Sequence, residues 1–413
     1  MAASERDIGM VTTSKIRFTH LDSMRGIAAC IVIVLHYVAV FYPSATFGIH
    51  KSYVEHFEWE KLFYNFPLNF LIAGRFAVCL FFILSGYVLS YSVLGKKNQG
   101  AKILSYMIKR PFRLGGLVLF TIMSGAILWW SGLFYNHPVS EISHSIPYLD
   151  AAWVGDFQIS KFLDVFFFSP FSDGTVYNPP LWTIDIELYG SFLVFCFVLI
   201  FGNLRYRLIL YPVMFYLLKG ELYQGFVLGI LFADMDKNYQ VYFSILKNKI
   251  ILSAFLLVGL VYASTPVFID RETFSTLFYS RLPDFYSMGG TYAMIGAALV
   301  FYSCNSLQIA KDFLNLRFFR FLGKISYGLY VIHFLVIGSF SCWLFLYFIE
   351  SMNYLVASSL TILISLPIIL LLSYLVTIYV DFPVVKFAGK IGQISRKHLV
   401  IVDRKIVKIS SRN

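Results

Sequence analysis

Residues 21–43 read LDSMRGIAACIVIVLHYVAVFYP. From Gly26 to Phe41 this stretch carries no formal charge, and near its centre stands a single histidine, His36. Crossing a bilayer takes about 20 mostly apolar residues, each rising roughly 1.5 Å along a helix. The stretch is therefore read as a membrane span. It lacks a small-residue cleavage site and holds both Arg25 and His36, which reads as a retained helix rather than a leader. Working outward, comparable apolar runs fall at 70–94, 114–133, 184–202, 204–219, 221–235, 249–266, 284–304, 325–349 and 353–380. With 26–43 they predict an all-α, polytopic integral membrane protein of about ten transmembrane helices.

Composition agrees. Hydrophobic residues make up 58% of the 413 and charged residues 14%, against roughly 25% charge in soluble domains. The net charge of +11 is explained by orientation rather than by nucleic acid. With the N-terminus cytoplasmic, the ten spans leave 27 of the 34 Lys and Arg residues on the inner side. That asymmetry is the positive-inside signature and predicts that both termini are cytoplasmic. Cys30, Cys79, Cys196, Cys304 and Cys342 all fall in predicted spans without CxxC spacing, so neither a disulfide framework nor a metal site is indicated.

No internal repeat or Pro-rich linker divides the chain. Residues 1–385 read as one transmembrane domain and 386–413 as a basic cytoplasmic tail suited to an anionic leaflet. Residues 134–183 form a long outer loop rich in aromatics, proline and acids (Glu141, Asp150, Asp156, Asp164, Asp173). Loops this long are commonly functional, and this composition suits a sugar-bearing acceptor as well as it suits packing at the bilayer interface.

Ionisable residues inside spans are costly and mark function. Arg25 and His36 lie eleven residues apart, close to three helical turns, so they share a face and stand roughly 16 Å apart along the axis. His36 then sits near the midplane, where burial disfavours the charged form. A neutral imidazole there can act as a general base or carry a group transiently. Asp22 falls near the Arg25 face. At the entrance to the third span, Arg110 and Arg113 flank Pro111, which fits the first turn of a helix. Their guanidinium forks suit phosphate oxygens. In the fourth span Glu187 follows the interfacial Trp182 and is placed in the outer half, with Arg75 as its possible charge partner. Ser326, Tyr330 and His333 share a face of the ninth span, and Ser85 with Gly86 permits close helix approach in the second.

Taken in order, these segments resemble acyltransferase family 3, the multi-spanning membrane O-acyltransferases. The resemblance is carried by Arg17-Phe18 through Arg25-Gly26 and His36, by Phe81 to Tyr87, and by Arg110 to Arg113. It continues in Leu181 to Glu187, Gly225 to Gly229 and Ile325 to His333. Asp381-Phe382-Pro383 departs from the family's Glu-x-Pro. The residues after Glu187 also depart from the commonest continuation. The resemblance implies transfer of an acyl group, most often acetyl from acyl-CoA as co-substrate, to a hydroxyl of an extracytoplasmic or lipid-linked glycan. It implies a stand-alone enzyme of the bacterial inner membrane, with membrane lipid as its surroundings and no metal. His36 and Glu187 are expected at the catalytic centre, and Arg25, Arg110 and Arg113 on the CoA donor. Arg75, Ser85, Trp182, Tyr330 and His333 are expected around the acceptor. A transporter or flippase of a lipid-linked sugar or small metabolite, with His36 in a proton relay, is the alternative. It lacks the internal symmetry common in transporters.

Overall fold

A computed structural model describes residues 18–49, 53–95, 99–282 and 290–410. Arg6, Lys15, Arg17, Lys51, Lys96, Lys97 and Arg412, all weighed in the charge asymmetry, lie outside the described residues, as do 284–289 at the start of the eighth expected span. The described residues are helical and contain no strand. Six continuous helical stretches are long and apolar enough to cross a membrane: Thr19–Phe41, Gly74–Tyr91, Gly100–Trp130, Pro179–Phe201, Arg317–Ile349 and Tyr354–Ile401. The chain is a helical membrane protein.

We number the helices α1 (Thr19–Phe41), α2 (Gly74–Tyr91), α3 (Gly100–Trp130), α4 (Trp182–Phe201), α5 (Leu210–Leu217) and α6 (Gln224–Lys237). Then come α7 (Lys249–Ala263), α8 (Thr291–Ser306), α9 (Gln308–Leu314), α10 (Arg317–Val336), α11 (Cys342–Ile349), α12 (Tyr354–Val376) and α13 (Phe382–Ser410). Helices α5 to α7 cover three of the ten expected spans and are shorter than a full crossing. Helices α8 and α9 form one pair bent by 93°.

The centre of the bundle is α1 against α10, and two glycines set their spacing. A Cβ on Gly26 would stand 2.5 Å from the Gly323 nitrogen, and one on Gly323 would stand 2.5 Å from the Asp22 carbonyl carbon. Only glycine permits backbones that close. Ten residues beyond each glycine stand His36 and His333, whose rings also meet. The two helices therefore run parallel in one register, and the glycine contact near one end fixes the histidine contact further along.

Three features depart from the sequence reading. Helix α3 begins at Gly100, so Pro111 is interior rather than in a first turn. The added turns pack on α13, where the Ser105 hydroxyl donates to the Gly392 carbonyl oxygen at 2.6 Å. Helix α13 continues through 386 without a break and lies along α3. Most consequential, the loop before α4 dips into the bundle. Cβ atoms on Gly115 and Gly125 of α3 would meet Phe171 and the Tyr177 carbonyl, and Asn178 donates to the Val331 carbonyl of α10 at 2.7 Å. The residues that lead into α4, Asn178, Pro180 and Leu181, are consequently buried in the bundle.

Helices α10 and α12 each run into a π turn, Ile337–Ser341 and Thr377–Asp381. Such turns insert an extra residue and are frequent at functional sites. The first follows His333 by one turn, and the second ends on Asp381.

Candidate active site

Helices α1, α2, α3, α4 and α10, with Asp381 of the second π turn and Phe382 at the start of α13, line a cavity of about 500 Å³. Six of the expected site residues line it: Arg25, Ser85, Arg110, Arg113, Glu187 and Tyr330. Asp22, Lys324, Ser326 and Asp381 join them. The arginines come from one end of α1 and from the first half of α3. The shortened approach to α4 brings Glu187 down to the same level.

That depth changes the partners. Glu187 pairs with Arg110 and not with Arg75. The Ser85 hydroxyl donates to the same Glu187 oxygen at 2.8 Å, and Arg110 Nε donates to Ser191 Oγ at 2.8 Å. Arg110 and Glu187 side chains are only 15% and 14% exposed, a burial that ionised groups tolerate when paired and hydrogen-bonded. Arg113 donates to both Asp381 oxygens, at 2.6 and 3.4 Å, and its guanidinium lies over the Tyr327 ring. Arg25 reaches Asp22 at 3.6 Å on the same helix face, as their spacing predicts. Lys324 sits over the rings of Tyr374 and Phe382.

Arg75 stands at the opposite end of α2, beside a void lined by Thr46, Asn69 and Thr265. Its Nε is buried without a hydrogen-bond partner among the described residues. Trp182 is exposed on the protein surface and does not line the cavity. The structure thus separates these two residues from the group with which the sequence placed them.

His36 and His333 stand outside the cavity lining, one step beyond Tyr330. The His333 ring lies 6.0 Å from that of Tyr330 and 5.0 Å from that of His36. Tyr330 is fixed by the Thr183 hydroxyl, which donates to it at 2.7 Å. On the far side, His36 Nδ1 is hydrogen-bonded to the hydroxyl of Tyr148, from the short helix Ile146–Leu149 in the long loop. Phe334 closes the site against both histidines. Sequence reasoning missed Tyr148 and Asp381 as contributors; the aromatic richness of the loop and the Asp-Phe-Pro departure were their only signals. Among the described residues no cluster of His, Cys, Asp or Glu could hold a metal ion.

The cavity, lined by four cations and three carboxylates, thus stands beside Tyr330, whose ring neighbours the His333 ring of the imidazole pair. The acyltransferase family 3 pattern, described as an acyltransferase domain, matches residues 18–378, and the chain belongs to this family. It is similar to the O-acetyltransferase PaAT-1 of Phomopsis amygdali, at 26% identity over 423 aligned positions, covering 87% of this chain and 82% of that protein. No solved structure matches. The chain is an acyltransferase transferring groups other than aminoacyl groups.

Proposed function

We propose that this protein moves an acyl group, acetyl in the first instance, from cytoplasmic acyl-CoA to a hydroxyl of an extracytoplasmic or lipid-linked glycan. The observation that carries the reading is the convergence of Arg25, Arg110 and Arg113 on one cavity, with His333 neighbouring its lining residue Tyr330 and His36 neighbouring His333. Arg25, Arg110 and Arg113 meet the phosphates of the donor, which suit guanidinium forks. The thioester end passes Ser85 and Tyr330 toward the imidazoles. There the acceptor hydroxyl arrives from the side of the long loop, whose aromatics and carboxylates suit a sugar ring. Glu187 holds Arg110 in place at the donor end.

Ten crossings with both termini cytoplasmic fit this division. Parallel α1 and α10 require an odd number of crossings between them. Helices α2, α3 and α4 supply three, and the ten-span reading supplies seven. Counting only the bent α8–α9 pair in addition would set α10 antiparallel to α1. The reading needs acyl-CoA on one face of the membrane and a hydroxyl acceptor on the other.

The test is the full chain in lipid nanodiscs, given acetyl-CoA and octyl glucoside as a minimal membrane-bound sugar. Wild-type protein should release CoA and form an acetylated glycoside, and His36→Ala should lower that rate by about 100- to 10,000-fold. Transfer at the wild-type rate by a folded His36→Ala protein would overturn the role of His36.

A further inference from the structure

The two imidazoles differ in the kind of hydrogen bond they make. His333 Nδ1 lies 3.0 Å from the carbonyl oxygen of Leu329. A carbonyl only accepts, so the proton of the neutral ring is on Nδ1 and Nε2 carries a bare lone pair. That Nε2 is buried without a hydrogen-bond partner among the described residues, and the residue is 0% exposed. Native proteins leave few buried polar atoms unpaired, and each calls for an explanation. Beside a reacting centre, the explanation is a partner that arrives with the substrate.

His36 is held differently. Its Nδ1 bonds the Tyr148 hydroxyl, and burial pushes that phenol's ionisation well above its ordinary range, so Tyr148 is neutral. Nδ1 of His36 is the partner of this hydroxyl among the described residues. Donating its proton there leaves no buried donor orphaned. His36 then carries its own proton on Nε2.

We propose that His333 Nε2 is the general base for the acceptor hydroxyl, that His36 Nε2–H is the donor to the acyl carbonyl oxygen, and that Tyr148 is the positioning residue holding His36 in that tautomer. This rests on the O-acyl transfer reading above. With ring centroids 5.0 Å apart and planes tilted by 35°, one tetrahedral centre can touch both rings. As the hydroxyl oxygen attacks the thioester carbonyl carbon, its proton passes to His333 Nε2. Negative charge grows on the carbonyl oxygen, where a placed donor lowers the barrier. The C–S bond breaks, the thiolate leaves with the electron pair, and the proton on His333 moves to sulfur. Ester and free thiol result, and both rings return to their starting state.

The seat of Tyr148 ties this tautomer to the long loop. Asn136 donates to the Leu149 and Ala152 carbonyl oxygens at 3.4 and 2.9 Å, and the Trp153 indole donates to the Tyr177 carbonyl oxygen at 3.0 Å. The Tyr148 ring also packs on Phe47 and Phe334. Removing its hydroxyl alone therefore leaves the loop's anchorage in place.

The deciding variant is His333→Asn in the full chain, assayed in nanodiscs with acetyl-CoA and octyl glucoside. The asparagine amide can still donate toward Leu329, but nothing replaces Nε2. Its kcat should fall by about 100- to 10,000-fold, with the acetyl-CoA KM within about threefold of wild type and thermal unfolding unchanged. Added imidazole should restore part of the rate to His333→Gly, a rescue that a structural role would not produce and that remains readable if the asparagine variant folds poorly. Tyr148→Phe should lower kcat roughly tenfold, again without moving the acetyl-CoA KM. A folded His333→Asn with wild-type kcat, or His333→Gly unmoved by imidazole, overturns the base assignment. Wild-type kcat in Tyr148→Phe overturns the positioning role. Failure of the wild-type protein to release CoA would instead remove the transfer reading on which both stand.

Discussion

In the cavity each of the three expected donor-site arginines meets an acid: Arg25 with Asp22, Arg110 with Glu187 and Arg113 with Asp381. Around His36 and His333 the ring neighbours are Tyr148, Phe334 and Tyr330, and none carries a formal charge. The cavity is thus built from balanced ion pairs, with Lys324 as the surplus cation, whereas the imidazole site depends on neutral rings and directional hydrogen bonds. An anionic donor entering the first region competes with carboxylates already in place. A hydroxyl entering the second meets a lone pair with no prior partner. Affinity for the donor and rate of transfer should therefore respond to different substitutions.

The largest expected effect tests the ion-paired half. Arg110→Met strands the Glu187 carboxylate, and Glu187→Met strands the Arg110 guanidinium. Breaking one side of a buried pair costs about 3–5 kcal/mol, whereas replacing both sides by apolar groups is often close to neutral. Unfolding in detergent should place the double variant nearer wild type than either single. Its acetyl-CoA KM should nonetheless rise, because the guanidinium is gone. An unchanged KM in the folded double variant would show that the cavity does not hold the donor, and the contrast between the two regions would fail at that point.

How much of this was readable beforehand follows from the range of each interaction. The Arg25–His36 face and the Ser326–Tyr330–His333 face are properties of single helices, fixed by a rise and a turn per residue. They hold in the fold, with Ser326 and Tyr330 on the cavity and His333 beyond. The pairing of Arg110 with Glu187 joins positions 77 apart, and that of Arg113 with Asp381 joins positions 268 apart. No periodicity records such contacts. The Arg75 partner expected for Glu187 rests on a start of α4 at the outer surface, whereas Asn178, Pro180 and Leu181 ahead of it are buried in the bundle and Glu187 meets Arg110. Tyr148 is one tyrosine in a loop without regular spacing, and only tertiary structure distinguishes it. Likewise, ten apolar runs are legible in composition, but six of the described helical stretches are long enough to cross unaided.

Next in size is the contact that sets both regions in register. A methyl group at Gly26 would stand 2.5 Å from the Gly323 nitrogen and 2.7 Å from Leu322 Cβ, so Gly26→Ala forces α1 and α10 apart. Overpacking of this kind costs about 1–3 kcal/mol. Because the glycine and histidine contacts share one register, kcat should fall with stability even though Gly26 lies ten residues from His36. Gly389 is the control, since a Cβ there meets nothing within 4 Å. Gly389→Ala should leave both unfolding and turnover at wild-type values. Equal effects from the two alanines would mean that helix spacing at Gly26 does not set the imidazole pair.

The smallest effect concerns the residue standing between the regions. Tyr330 lines the cavity with one edge and neighbours His333 with the other, while its hydroxyl accepts from Thr183 and donates to the Pro180 carbonyl oxygen at 3.3 Å. Tyr330→Phe keeps the ring and its edge contact with Phe81 but removes the shorter of the two bonds of the Thr183 hydroxyl, which keeps the Pro180 carbonyl oxygen at 3.3 Å. The stability cost should be about 0.5–1.5 kcal/mol, the net worth of an ordinary hydrogen bond. If the hydroxyl only anchors the dipping loop, acetyl-CoA KM and kcat stay near wild type once the protein is saturated with acceptor. If the hydroxyl also aligns the thioester between the arginines and His333, kcat drops several-fold with KM unmoved. That second result would make Tyr330 part of the transfer step and would join the two regions through a single side chain.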